Sequence, residues 1–524
     1  MKNQPPPLEG YNLFAEDRPL VEAVRREGGD AEAEARLAGL GAELGGEPLE
    51  WGRLANESPP LLRTHDRFGE RIDEVEFHPA WHGLMELGVE HGIHARPWRA
   101  PAPGAHVERA AAFMLLSEVE AGVGCPLSMT HAAVPALRAG APELAAEWEP
   151  PLTSYLYEPA VSLASDKAGA LAGMALTERQ GGSDVRTNET VARPLGADGE
   201  AELRGEKWFC SAPMCDVFLV LAQAPGGLSC YLVPRVLPDG TRNGFRLVRL
   251  KDKLGNRSNA SAEIELDGAW GRLVGEEGRG VPAITEMINH TRLDCALGSA
   301  ALMRRAVAEA THHAAHRAAF GTRLADQPLM QNVLADLCLE SEAATALVLR
   351  VAHAYDKPDE ALRRIVTAVA KYWTCKVAPG VVAEALECVG GNGYVEESVL
   401  PRLYREVPLN SIWEGAGNVA ALDVLRIVRR QPEALEAFVD ELEPELRPAI
   451  EPVEETDARR FVESLAVALQ ATLLVRHAPD EVADAFVASR IRGEHGRAYG
   501  TLGTNASHAI VERHRPLAEA KVVH

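Results

Sequence analysis

Asn410-Ser-Ile-Trp-Glu-Gly-Ala-Gly-Asn418 places one acid, Glu414, between an indole and a glycine, immediately ahead of a helical pattern over residues 419–430. Two uses fit that placement. An acid at a helix start is favoured by the helix dipole and needs no further role. An acid desolvated by Trp413 has its pKa raised toward that of a useful general base. Upstream, Thr177-Glu-Arg-Gln-Gly-Gly-Ser-Asp184 combines hydroxyls, a flexible glycine pair and an acid. That is either an ordinary turn or a loop that wraps a polar ring or phosphate. Lys207-Trp-Phe-Cys-Ser211 sets two aromatics and a hydroxyl on a strand, fitting a core pair or a surface where a flat ring stacks and takes a hydrogen bond. Gly390-Gly-Asn-Gly-Tyr394 follows a helical run and reads as a sharp helix end or as backbone N–H groups brought close to a phosphate.

Other constellations carry less. No G-x-G-x-x-G lies between a strand and a helix and no G-x-x-x-x-G-K-[ST] occurs, so neither a Rossmann cofactor site nor a P-loop is signalled. His312, His313 and His316 share one helix, and an i, i+4 pair can bind a metal. No third ligand stands at fixed spacing, so solvated or core histidines are expected and no metal. The cysteines run from Cys125 to Cys388 without a C-x-x-C pair, which points to reduced thiols, with Cys210 and Cys215 as packing residues.

The elements that must position these residues change along the chain. Residues 1–172 mix Pro-rich stretches with Ala, Glu and Leu segments such as 108–118 and predict a helical domain with long connections. Over 173–278, short β-rich runs such as Val217-Phe-Leu-Val-Leu-Ala222 and Ala262-Glu-Ile-Glu-Leu266 are separated by Gly, Pro, Asp or Asn, predicting an antiparallel sheet. Over 279–432, apolar residues recur at three- and four-residue spacing around 282–318, 328–355, 360–377 and 414–430, predicting a helical bundle with no strands. Pro432 ends one helix, and residues 433–524 predict an appended helical domain. The fold class is α+β. No internal repeat occurs. No apolar run reaches about 18 residues and the start, MKNQPPPLEG, lacks the order of a signal peptide, so a cytoplasmic chain with no membrane partner is expected.

Four phrases in register carry a resemblance: Met174-Ala-Leu-Thr-Glu-Arg-Gln-Gly-Gly-Ser-Asp-Val185, Leu250-Lys-Asp-Lys-Leu-Gly-Asn-Arg-Ser-Asn-Ala-Ser261, Leu400-Pro-Arg-Leu-Tyr-Arg-Glu406 and the segment around Glu414. The sequence resembles the acyl-CoA dehydrogenase superfamily, and within it the AidB-like, alkylation-response branch. The resemblance implies an N-terminal helical domain, a middle β-domain and a four-helix bundle, extended here, with FAD between sheet and bundle. It implies flavin contacts from Met174, Ala175, Leu176 and Thr177, pyrophosphate contacts from Gly181, Gly182 and Ser183, and a ring lining of Phe209, Cys210 and Ser211. Ile412, Trp413, Gly415, Ala416, Gly417, Asn418 and Leu422 would form the opposite wall. Arg317, Phe320, Gly390 and Gly391 would reach the FAD of a neighbouring subunit in a homotetramer. The glutamine usual near that segment is displaced to Gln327, and Glu387 stands where a glutamine is common.

By the same resemblance Glu414 is the base of an acyl-CoA dehydrogenation, Arg292 binds substrate, and an electron-transferring flavoprotein accepts the electrons. Short or branched acyl chains such as isovaleryl are implied. The position used for the base by other members, ahead of Arg292, is Thr291, which cannot serve. The AidB-like branch also implies a competing role, a flavoprotein that binds duplex DNA. The net charge of -22 opposes phosphate contact at long range, and acids outnumber bases over 431–524. Yet Arg490, Arg492, Arg497, Arg513, Arg515 and Lys521, with Arg429 and Arg430, suggest a basic stripe whose plain alternative is a solvated helix face.

Overall fold

The computed structural model describes residues 3–196, 199–448 and 453–517. The chain forms two compact units. One gathers Met1–Leu49, Ala102–Val119 and Arg292–His524, the other Glu50–Pro101 and Glu120–Thr291.

The second unit is built on a mixed sheet. Two strands form a separate hairpin, β1 (Leu61–His65) and β2 (Arg71–Glu76). The sheet itself holds β3 (Ala172–Ala175), β4 (Val191–Pro194), β5 (Glu200–Ser211), β6 (Val217–Ala224), β7 (Gly227–Pro234), β8 (Phe245–Leu250) and β9 (Ser261–Val274). Its order is β3-β6-β4-β5-β9-β7, with β8 on β9 and a further β6–β7 pairing that closes the path. Val217 to Ala222 of β6 are all buried, as an unbroken apolar run requires when both faces are covered. Over Ile264 to Asp267 and again over Ala269 to Arg272, β9 alternates buried and outward residues, the period of a half-covered strand. The sheet is not wholly antiparallel as expected. β3 pairs β6 in parallel, and β4 meets β6 in parallel at Val191 and Gln223. Between β3 and β6 lie some forty residues, enough for the crossover that a parallel pairing needs.

The β1–β2 hairpin is an addition to the helical domain with long connections expected for residues 1–172. Its strands are short, polar and surface-lying, so they show little apolar alternation. A local turn makes them: Asp66 Oδ1 accepts from the N–H groups of Phe68 and Glu70, at 2.8 and 2.9 Å, and Gly69 takes φ +87°.

The first unit is helical. Its long members are the part of Gly280–His316 from Arg292 onward, Pro328–Tyr355, Glu360–Val389, Val399–Asn410, Gly417–Arg430 and Ala458–His477. Leu334 to Leu349 are buried without a break, the mark of a helix surrounded by others. Helix starts follow cap chemistry: Asp359 accepts from Leu362 N, Ser398 from Leu400 N, and Pro328 opens its helix.

Residues beyond 433 are not set apart from the bundle. Ala458–His477 packs on Pro328–Tyr355, Glu360–Val389 and Gly417–Arg430, and Ser507–His514 packs on Pro328–Tyr355 and Arg18–Arg26. One strand pair also interrupts the expected all-helical stretch, β10 (Ala318–Ala319) with β11 (Thr322–Arg323). Two-residue strands are too short to show a period. Among the described residues no helix is long and apolar enough to cross a membrane.

Candidate active site

In the helical unit, Glu414 sits on a tight turn between the helices Val399–Asn410 and Gly417–Arg430. The N–H groups of Ile412 and Trp413 both return to Leu409 O, at 2.8 and 3.2 Å. Glu414 then takes φ +56° and Gly415 φ +104°. A left-handed glutamate costs about 1–3 kcal/mol and persists only where its surroundings impose it. Two cations do so. Arg292 Nε donates to Glu414 O at 3.0 Å, and Lys371 Nζ donates to Gly415 O.

Arg292 is itself held, with Nη1 2.7 Å from Asp423 Oδ2. Asp423 also takes Arg364 at 3.0 Å and Arg426 at 2.8 Å. Burial would raise the Asp423 pKa, but Arg292 and Arg364 overcome it and hold the carboxyl below its usual range. Arg292, expected to bind substrate, thus has its guanidinium on the Glu414 carbonyl and on Asp423. Trp413 Nε1 donates to Asn410 Oδ1 at 3.1 Å, and the Glu414 side chain is half-buried. Buried Cys295 carries a pKa pushed well up by burial; Lys371 opposes the shift, while Cys375, Glu414 and Asp294 add to it. The Lys371 and Glu414 charges therefore bear on one thiol. Thr291, ahead of Arg292, only donates its hydroxyl to Ile288 O at 3.1 Å.

The following helix start suits an anion. A Cβ on Gly417 would fall 2.7 Å from Lys376 Cε and 3.4 Å from Arg459 Nη2. Arg459 Nε donates to Asn418 Oδ1 at 2.9 Å. Neither Lys376 nor Arg459 has a carboxylate partner among the described residues. Two unneutralised cations beside a helix N-terminus match the charge of a diphosphate. Ile412, Ala416 and Asn418 are exposed and Leu422 is half-buried.

In the sheet unit, the loop after β3 is tied down by Glu178. Its carboxylate accepts from Lys207 Nζ, Thr190 Oγ1 and Glu189 N, each at 2.6 Å. Burial alone would raise its pKa; Lys207 and these hydrogen bonds pull it below the usual range instead. Breaking such a buried pair costs about 3–5 kcal/mol. The anchor brings Thr177 beside β5, where Trp208 N donates to Thr177 O at 2.9 Å. A Cβ on Gly182 would lie 2.5 Å from Thr177 Oγ1, so only glycine passes there. Gly181 takes φ +156°, and Gly182 and Ser183 are exposed.

On β5, Phe209 is 51% exposed although its neighbour Cys210 is fully buried. Lys251 Nζ stands 3.4 Å above the Trp208 ring, and Ser211 lies half-buried opposite Ser261. The Cys210 side chain faces the interior, so only its backbone can meet a cofactor. Met174 and Leu176 are half-buried and Ala175 buried. A bare aromatic ring with hydroxyls on both flanking segments suits a flat, polar-edged ring, so the residues present fit FAD.

The remaining expected residues are scattered. Phe320 is fully exposed at φ +55° on the β10–β11 turn, Arg317 Nη1 donates to Asn3 O at 2.5 Å, and Gly390 and Gly391 are exposed. The basic stripe does not form as expected. Arg490 is bound to Asp336 and, at 2.8 Å, to Glu340. Arg513 joins Glu22 and, at 2.8 Å, Glu342. Arg515 pairs Glu512 at 2.9 Å, while Arg429, Arg430, Arg492 and Arg497 are exposed. Lys521 lies outside the described residues. His312 and His316 have ring centroids 4.4 Å apart and bond to Pro6 O and His312 O.

Sequence reasoning missed Lys371, Asp423 and Arg364. The available signal was a lone charge inside an apolar helical run, as in Ala368-Val-Ala-Lys371 and Ala421-Leu-Asp423-Val.

Comparison with known proteins gives the lineage. The acyl-CoA dehydrogenase middle domain matches residues 173–269 and the acyl-CoA dehydrogenase C-terminal domain residues 278–428. The N-terminal domain of the adaptive response protein AidB matches residues 3–159. The chain belongs to the acyl-CoA dehydrogenase family, on its AidB side. It is 50% identical to AidB of Escherichia coli (strain K12) over 448 residues, 84% of this chain and 82% of that protein. Among solved structures, Caenorhabditis elegans ACDH-11 in complex with C11-CoA is similar with a TM-score of 0.82 at 27% identity, covering 98% of this chain and 93% of that one. The apo form of Bd2924 is similar with a TM-score of 0.83 at 29% identity, covering 91% and 99%. FAD is the cofactor this family uses.

Proposed function

We propose that the protein is an FAD-dependent oxidoreductase that dehydrogenates a short or branched acyl-CoA, isovaleryl-like, between the α and β carbons. The observation that carries this reading is the turn at Glu414: a half-buried carboxylate on a left-handed residue whose backbone is gripped by Arg292 and Lys371. Glu414 removes the α proton of the thioester. FAD, when bound, supplies the acceptor for the β hydrogen and its electron pair, leaving the enoyl-CoA. Thr177, Ser183, Phe209 and Ser211 hold the flavin and its phosphates, and Lys376, Arg459 and the Gly417 helix start add positive charge for a diphosphate. A positioned base contributes about 10²- to 10⁴-fold. An electron-transferring flavoprotein is the proposed acceptor, and the bare Phe320 ring with Arg317, Gly390 and Gly391 is the proposed subunit contact of a homotetramer.

The test is anaerobic addition of butyryl-, isovaleryl- and undecanoyl-CoA to the flavin-loaded protein. Bleaching of the visible flavin band by one thioester on a turnover timescale supports the reading; an unresponsive flavin with every thioester sinks it.

The 50% identity to AidB favours a second reading, a duplex-DNA-binding flavoprotein of the alkylation response with weak dehydrogenase activity. Its contacts would come from the exposed Arg429, Arg430, Arg492 and Arg497. A salt-sensitive duplex shift lost in a variant of these four arginines supports it.

A further inference from the structure

We infer that Lys371 is a positioning residue for Glu414, acting through the Gly415 carbonyl and through its own charge; this rests on Glu414 being the base. Lys371 is 1% exposed, on the helix Glu360–Val389. Burying an ammonium costs several kcal/mol unless a partner offsets it. Among the described residues it donates to Gly415 O and forms no carboxylate ion pair. A structural lysine at that depth would be expected to pair with an acid, as Lys207 does with Glu178 and Lys167 with Asp216. This one instead spends its charge on the peptide that follows Glu414.

The geometry explains what that does. Arg292 holds the carbonyl of Glu414 and Lys371 the carbonyl of Gly415. Two consecutive carbonyls pinned from two helices fix both peptide planes around a residue at φ +56°, and with them the direction in which the Glu414 side chain leaves the backbone. A displacement of about 1 Å at a reacting group costs on the order of 100-fold in rate. The charge has a second effect. The Lys371 ammonium and the Glu414 carboxylate both bear on Cys295, so they share a low-dielectric neighbourhood in which a cation favours the ionised carboxylate. Replacing Lys371 by a neutral residue takes that cation away.

The experiment uses flavin-loaded protein and the anaerobic bleaching rate with isovaleryl-CoA as a function of concentration and pH. Lys371→Met removes donor and charge; Lys371→Gln keeps a donor and removes the charge. Lys371→Met is expected to lower the limiting rate about 10- to 100-fold with half-saturation within about threefold, and to move the acid limb of the rate profile upward by about one pH unit. Lys371→Gln is expected to recover part of the rate but keep the moved limb. Flavin content and melting temperature report the fold separately. A limb and a limiting rate unchanged from the parent, in folded variants, overturn the inference, as does collapse of both variants to flavin-free aggregate, which would assign the ammonium to stability. Glu414→Gln is run alongside. If it bleaches like the parent, the base assignment itself falls; if it is inert and the Lys371 variants are unchanged, only the role of Lys371 falls.

Discussion

Asp423 holds Arg292 at 2.7 Å, and Arg292 in turn holds the Glu414 carbonyl at 3.0 Å, so an aspartate nine residues beyond Glu414 in the helical unit controls its backbone at second hand. Asp423→Asn removes the charge that Arg292, Arg364 and Arg426 share. We expect a loss of about 3–5 kcal/mol in denaturant unfolding, the range for a broken buried pair, and at least a tenfold fall in the bleaching rate of whatever protein remains folded. Parent-like stability would show that the three arginines hold one another's place without it.

Gly182 tests the flavin loop. A methyl group there meets the Thr177 hydroxyl at 2.5 Å, while Glu178 keeps the rest of the loop anchored. Gly182→Ala should therefore leave the melting temperature of the flavin-free protein within a few degrees and weaken FAD binding tenfold or more, read by flavin titration.

Glu118 makes stability depend on pH. It is fully buried in the helical unit, where burial above all, with Asp17 adding and Arg304 and Arg305 opposing, pushes its pKa from 4.5 to about 8. The folded protein therefore holds a proton that the unfolded chain releases above pH 4.5. This contribution is neutral below that value, turns against folding as pH rises toward 8, and levels off beyond it. Glu118→Gln, neutral throughout, should gain stability over the parent on the order of a few kcal/mol above pH 8 and little at pH 5, in urea unfolding at both pH values.

Arg490 and Arg497 separate structure from contact. Arg490→Ala strands Asp336 and Glu340, both buried, and should lower stability by about 3 kcal/mol or more. Arg497→Ala, at an exposed position, should stay within about 0.5 kcal/mol of the parent. Equal melting temperatures for the two variants would contradict the ion-pair assignment.

Much of this architecture was legible in the sequence because periodicity reports burial directly. The apolar run of β6 and the helical spacing of 328–355 each gave their element. Glu414 stood out because an acid beside Trp413 fits a desolvated base as well as a helix-start acid, although its left-handed backbone left no trace beyond the glycine that follows. The β1–β2 hairpin escaped because polar surface strands have little hydrophobic alternation. Lys371 and Asp423 escaped because a single charge in an apolar helix reads as a surface residue until its partners are known, and Gly415, Arg292 and Arg364 lie far away in the chain. For the same reason Arg490 and Arg513 looked like a basic stripe: spacing shows which cations share a region, and only packing shows which are already neutralised.

The most direct test of the central claim is the anaerobic flavin bleaching rate of Glu414→Gln against the parent, with isovaleryl-CoA and with flavin content measured on the same samples. The base assignment predicts an equal flavin content and a rate lower by at least about 100-fold. Parent-like bleaching in the glutamine variant would contradict it.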